Sequence, residues 1–147
     1  MRFCVVLLFL IINQRVIAPD VKSLMVVETS PVDVYERLMM AILQVESGGD
    51  TLAFNALEEA YGPFQIRPIR LTDYNIRTGK KYVMEDCYRM SISREVFLYY
   101  AIRIGADYEL IAKRWNGSGV KTIEYWSKVK AKLLDQETGL IPMKMPS

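Results

Sequence analysis

Between Leu38 and Val45 the chain is almost continuously apolar, inside a helical pattern that runs from Val34. Val34, Leu38, Ala41, Ile42 and Val45 recur at i, i+4, i+7, i+8 and i+11, which is one face of a helix. Met39, Met40 and Leu43 lie on its other faces, and Gln44 is the single polar residue from Leu38 to Val45. A helix that is apolar nearly all round belongs in the centre of a fold. Ser30-Pro31-Val32-Asp33 supplies its start: a capping serine, a proline at the first helical position and an acid in the first turn. Ser47-Gly48-Gly49 supplies its stop, with glycine free to take the left-handed conformation.

Residues 50–90 carry no long period. Gly62-Pro63 and Thr78-Gly79-Lys80-Lys81 mark turns, and Phe64-Gln65-Ile66 reads as a short strand or extended segment closed by Arg67-Pro68. The stretch is too long for a plain loop. It is expected to hold short helices or a small hairpin, or to form part of a binding cleft. Helical signals resume at Ser91-Ile92-Ser93. Val96, Phe97, Tyr100 and Ile104 then make a face that Gly105 ends. Asp107 is placed to cap a helix reaching Trp115, and Asn116-Gly117-Ser118-Gly119 breaks it. A last helix over about Thr122 to Leu134 should turn Trp126, Val129 and Leu133 inward. Lys128, Lys130 and Lys132 then point outward as a solvated face. The expected class is mainly α: a small helical domain with a short β or irregular element at a cleft.

Residues 3–12 are ten apolar residues behind Arg2. That length suits the core of a signal peptide and falls short of the about 20 residues that cross a bilayer. The small-residue end Val16-Ile17-Ala18 follows. The expected organisation is a signal peptide over 1–18, a linker over 19–29, one domain over 30–138 and a tail over 139–147. The competing reading of 3–12 is a buried N-terminal strand. Export to the periplasm or the outside follows from the first, with no membrane span after leader removal.

Charge and composition narrow the chemistry. The chain has 19 basic and 17 acidic residues, and losing Arg2 and Arg15 with the leader leaves 17 of each. A neutral domain lacks the clustered positive excess that nucleic acid requires, so nucleic acid is not an expected partner. Histidine is absent. This removes the Ser-His-Asp triad, the Cys-His dyad and every histidine-containing zinc site. Cys4 leaves with the leader, and Cys87 is then alone, a buried structural thiol rather than half of a disulfide. No metal and no organic cofactor is called for. Carboxylates, hydroxyls, amides, Lys and Arg remain.

Glu46 stands out among them. It ends a helix that is apolar on nearly every side, about a quarter turn from the centre of the main stripe. Apolar surroundings disfavour its ionised form, and the negative end of the helix acts the same way. A glutamic acid that keeps its proton near neutral pH can donate it to a leaving group. The competing reading is a helix-terminal glutamate hydrogen-bonded to the following loop.

Four segments then follow in order: Val45-Glu46-Ser47-Gly48-Gly49, Ala60-Tyr61-Gly62-Pro63-Phe64-Gln65-Ile66, Trp115-Asn116-Gly117-Ser118-Gly119 and Thr122-Ile123-Glu124-Tyr125-Trp126. This order resembles the lytic transglycosylase and goose-type lysozyme family. In that family a helix ends in Glu-Ser, followed by Gly-Leu-Met-Gln-Ile, then Ala-Tyr-Asn-Ala-Gly, then a helix containing Tyr. The resemblance covers about residues 34–133. It implies a lysozyme-like fold and cleavage of the β-1,4 bond between N-acetylmuramic acid and N-acetylglucosamine in peptidoglycan. It makes Glu46 the catalytic acid and Ser47 the serine that contributes to the hydrogen-bonding beside it. Gln65 becomes the glutamine that contacts glycan, and Asn116 the asparagine of the Tyr-Asn motif, with Trp115 in place of its tyrosine. Tyr125 becomes the tyrosine whose hydroxyl reaches the catalytic glutamate. Amide side chains suit sugar hydroxyls and N-acetyl groups because they donate and accept. Aromatic faces cover the apolar side of a sugar ring.

The chain departs from the pattern at Pro63-Phe64, at Trp115 and at Gly117-Ser118. Trp115 is expected to add stacking surface. If Glu46, once ionised, activates the muramic 6-hydroxyl, the product is a 1,6-anhydro sugar; if it activates water, the enzyme is a lysozyme. Most glycosidases use two carboxylates, and Asp50, Glu58, Glu59 and Asp73 fall in the cleft segment as candidates for the second. The implied partners are peptidoglycan glycan strands and cell-envelope assembly proteins, with the chain itself a monomer. A non-catalytic glycan-binding protein and a helical partner-binding protein are the alternatives.

Overall fold

The computed structural model describes residues 31–140. The expected signal peptide and linker, the cap at Ser30 and the tail beyond Leu140 lie outside the described residues. The fold is mainly α, with five helices and one small sheet among the described residues. Helix α1 (Pro31–Glu46) leads to strands β1 (Phe54–Asn55) and β2 (Ala60–Tyr61), then to α2 (Pro68–Thr78). A short 3-10 turn (Met84–Tyr88) precedes α3 (Met90–Ile104), α4 (Tyr108–Asn116) and α5 (Lys121–Glu137).

Helix α1 is the axis of the core. Every residue from Leu38 to Leu43 is buried, as an all-round apolar helix requires. Val34 departs from expectation and is 39% exposed. Its neighbour Tyr35 turns inward instead, donating its hydroxyl to the Gly105 carbonyl at 3.0 Å. Helix α5 packs along α1, and α4 packs on α5. Gln136 Nε2 donates to the Arg37 carbonyl at 2.9 Å, tying the far end of α5 to the first turns of α1. On another side α3 brings Val96, Phe97 and Ala101 into the core. The Phe97 ring stacks on Phe64 at 5.2 Å and meets Trp115 at 4.9 Å.

The inner face of α5 differs in detail from the expected one. Tyr125, Val129 and Gln136 are buried, whereas Trp126 and Leu133 lie half-buried at its flanks. The helix also runs on to Glu137, and Gly139 and Leu140 close it through bonds to Gln136 and Asp135 carbonyls. Asp107 caps α4 as expected: its side chain accepts from the Leu110 N–H at 2.9 Å. Asp107→Ala should therefore cost about 1 kcal/mol, read as a shift in the urea midpoint without a change in slope.

The stretch 50–90 is more ordered than its composition suggests. Strands β1 and β2 pair antiparallel, Phe54 opposite Tyr61 and Asn55 opposite Ala60. Tyr61 and Ile66 then exchange backbone bonds at 3.0 and 2.9 Å, so Phe64 and Gln65 form the turn between them rather than a strand. Pro68 opens a helix instead of merely ending a segment. Its missing N–H is one that a first helical residue does not need. Helix α2 escapes the periodicity because Leu71 and Tyr74 are its buried residues, while Ile69 and Ile76 are 80% and 78% exposed.

Cys87 is fully buried, and burial, with Asp86 and Glu85 adding to it, pushes its thiol up to about 12. Among the described residues no helix is long and apolar enough to cross a membrane, and no group of Cys, Asp and Glu could hold a metal ion.

Candidate active site

The end of α1 and the second turn of α5 meet at one hydrogen bond. The Tyr125 hydroxyl donates to Glu46 Oε1 at 2.7 Å. Burial raises the Glu46 carboxyl to about 7, far above its ordinary 4.5. The Tyr125 bond and the charges of Arg67 and Arg70 pull it back down, and Glu58 pushes it up. Near neutral pH the acid is therefore poised between its two forms, the condition for giving a proton and then taking one. Burial also raises the Tyr125 hydroxyl, with Glu46 reinforcing it, so that group stays a donor.

Glu46 faces a cavity of about 20 Å3, shared with Glu58, Gln65, Arg67, Arg70, Trp115 and Asn116. Beside it lies a cleft of about 520 Å3, lined by Gly117, Ser118, Lys121, Glu124, Tyr125 and Lys128. Glu58, Arg67 and Asn116 border both spaces. The glycine-rich segment after α4 thus forms cleft wall, and Asn116, the last residue of α4, stands where the two spaces meet.

Gln65 lines the Glu46 cavity, Ser47 lines neither that cavity nor the cleft, and the polar groups of both brace the scaffold. Ser47 Oγ donates to the Pro63 carbonyl at 3.0 Å and accepts from the Gly49 N–H at 3.2 Å. It pins the end of α1 to the turn after β2. Gln65 has φ +48, in the left-handed region, and its Nε2 donates to Gly62 and Ala53 carbonyls at 2.9 and 3.3 Å. Its side chain borders the Glu46 cavity while its amide N–H2 holds the hairpin together.

Trp115 does not provide an open stacking face. It is 6% exposed, its ring packs on Phe97, and its Nε1 donates to the Phe64 carbonyl at 3.2 Å. The Arg70 guanidinium lies 4.0 Å from its ring centroid. Tryptophan here is core that presents an edge to the site.

Of the four candidate second carboxylates, Glu58 alone lines the Glu46 cavity. Asp50 is exposed and accepts from the Leu52 N–H at 2.8 Å, holding its own turn. Glu59 is exposed in the turn just before β2, with φ +48, and lines neither space. Asp73 lies on α2 and faces a different cavity of about 400 Å3, with Ile69, Ile104 and Ile111. Arg70 and Trp115 wall it off, since both line that cavity and the Glu46 one. The bonds from Arg77 and Tyr100 hold the Asp73 carboxyl below its ordinary range.

Two site residues were not legible beforehand. Arg67 precedes α2, and Arg70 lies in its first turn. Arg70 donates to the Trp115 carbonyl at 2.8 Å, and burial lowers its pKa. The available signal was their spacing of three directly after Gln65-Ile66, which puts both on one side of a helix start.

Removing the Tyr125 hydroxyl should expose its effect on Glu46. In Tyr125→Phe the carboxyl loses the bond that favours its ionised form, so its titration midpoint moves further up. Carbon-13 NMR of the Glu46 carboxyl reads this directly, and a midpoint that stays or falls would contradict the assigned bond.

Comparison with protein-family models, curated proteins and solved structures found no match to this chain.

Proposed function

We propose that the protein cleaves the β-1,4 bond between N-acetylmuramic acid and N-acetylglucosamine in peptidoglycan, as a lytic transglycosylase. The observation that carries this is Glu46: a carboxyl raised to about 7 at the end of a buried helix, held by Tyr125, beside an open cleft. The order of motifs around Glu46, Gln65, Asn116 and Tyr125 supports the same reading.

In this mechanism protonated Glu46 gives its proton to the glycosidic oxygen as the bond to the muramic C1 breaks. Positive charge develops at C1, and the substrate's own N-acetyl oxygen stabilises it. The Glu46 carboxylate then accepts the proton of the muramic 6-hydroxyl, whose oxygen closes onto C1. The 1,6-anhydro product forms without a water, and Glu46 ends protonated again. Tyr125 orients the carboxyl through both steps. The substrate lies outside the cytoplasm, which accords with the leader expected over residues 1–18.

Hydrolysis is the second reading, and Glu58 favours it, because it supplies another carboxylate at the same cavity. Mass spectrometry of muropeptides from sacculi decides between them. A lytic transglycosylase releases products lighter by the mass of one water than hydrolysed ones. Reducing ends without that loss would make it a lysozyme. No product from folded protein would overturn both and leave a glycan-binding or partner-binding role.

A further inference from the structure

The space at Glu46 is too small for its proposed work. A cavity of about 20 Å3 holds a water and no sugar ring. The adjoining cleft, at about 520 Å3, has the size of a ligand site. The two spaces meet at Glu58, Arg67 and Asn116, so the side chains there set how closely a sugar in the cleft approaches Glu46.

Glu58 and Arg67 are joined across that border. Arg67 Nε donates to Glu58 Oε2 at 3.0 Å, and its Nη2 donates to the same oxygen. Their side chains are 50% and 39% exposed, so water screens the pair and rupture is easy. Glu58 rides on the β1–β2 connection, where its neighbour Leu57 is 97% exposed. The tip is held by the Asn55 side chain, which accepts from the Leu57 N–H at 3.0 Å. The same Asn55 oxygen also accepts from the Glu58 N–H at 3.4 Å.

The cleft's remaining charges are unequal. Lys128 pairs with Glu124 at 2.8 Å. Lys121 makes no ion pair among the described residues, although it lines the cleft. Without Glu58, Arg67 would face the substrate space with no carboxylate on its guanidinium. A guanidinium in that position matches a carboxylate.

From this geometry we infer that Glu58 is an internal stand-in for a substrate carboxylate, and that Arg67 selects an acidic glycan over a neutral one. The inference rests on the proposed peptidoglycan cleavage and names the group that opens the site. An incoming carboxylate takes Arg67, the exposed Glu58 side chain swings away, and the approach to Glu46 widens. The carboxylate is the lactyl group of muramic acid where that is free, or an acid of the stem peptide where it is substituted.

Binding to the full chain carrying Glu46→Gln tests this without turnover. Three probes are used: glycan strands stripped of stem peptides, strands that keep them, and neutral N-acetylglucosamine oligomers of matched length. The acidic strands should bind about tenfold more tightly than the neutral oligomers. Adding Arg67→Gln should cancel that preference, and Arg67→Lys should keep part of it. Adding Glu58→Gln should tighten the acidic strands severalfold. Whichever acidic probe responds identifies the carboxylate. A preference that survives Arg67→Gln, with folding verified by circular dichroism, overturns the inference, as does weaker acidic binding in Glu58→Gln. Equal binding of all three probes, with sacculi still cleaved by the unmodified chain, overturns it while leaving the proposed function standing. No binding of any probe and no cleavage of sacculi removes both.

Discussion

Glu46→Gln should abolish product release from sacculi, with turnover falling at least about a thousandfold. The amide keeps the shape of the acid and can still accept the Tyr125 hydroxyl, but it has no proton to give a leaving oxygen. Binding of glycan should persist. The same substitution should also stabilise the fold, in a pH-dependent way. The Glu46 carboxyl sits near 4.5 when unfolded and about 7 when folded, so the folded state holds its proton more tightly. As pH rises above 4.5 the unfolded chain releases that proton first, and stability declines until about pH 7. Above that it is level, at a cost of about 3 kcal/mol. Glutamine carries no such cost. The variant should match the parent in urea denaturation near pH 4 and exceed it by about that amount at pH 8. A variant less stable than the parent at pH 8 would mean that burial does not strain this carboxyl. Activity of the parent should fall as pH rises through about 7, because the proton-donating form disappears.

Gly62→Ala carries the largest expected cost to stability. Gly62 has φ +73, and a Cβ there would stand 1.9 Å from the Cys87 carbonyl oxygen and 2.7 Å from its carbon. Both are backbone atoms, so no side-chain rotation relieves the overlap. The Cys87 carbonyl is itself held, because the buried Ser93 hydroxyl donates to it. Either β2 or the 3-10 turn must move, and both are packed against the core. The expected loss is about 3 kcal/mol or more, with the melting temperature about 10 °C lower or worse. Gly48→Ala is the control. Its φ is +65, but an added Cβ meets nothing within 4 Å, so the cost should be the left-handed penalty alone, about 1 kcal/mol. Equal losses at the two glycines would show that backbone conformation and not the close approach decides.

What the amino-acid pattern reveals depends on whether burial follows periodicity. Helices α1, α3, α4 and α5 were legible because their buried positions recur at helical spacing and their ends carry glycine or a capping aspartate. Helix α2 was not, since its two large isoleucines face solvent and its core contacts come from one leucine and one tyrosine. At the site, Glu46 could be singled out because its environment is written in its own helix. Its bond to Tyr125 joins residues 79 apart in the chain, and only the ordered motifs suggested it. The Trp115 face and the two arginines illustrate the limit. Whether a tryptophan offers its ring to a ligand, or lies under a guanidinium as here, is decided by what packs on it. Single-residue chemistry is silent on that point.

The pairing of α1 with α5 bears on when the poised Glu46 carboxyl can exist. The acid lies on the first described helix and its tyrosine on the last, and these two helices bury each other. A chain synthesised only as far as α4 would already contain Glu46, Gln65, Arg67 and Asn116, yet α1 would lack the surface that covers it. The carboxyl would be wetter and nearer its ordinary acidity, and no hydroxyl would hold it. Since chains emerge N-terminus first, the poised acid arises only once the C-terminal helix has docked. Such a topology withholds the poised acid until α5 has been made and packed on α1.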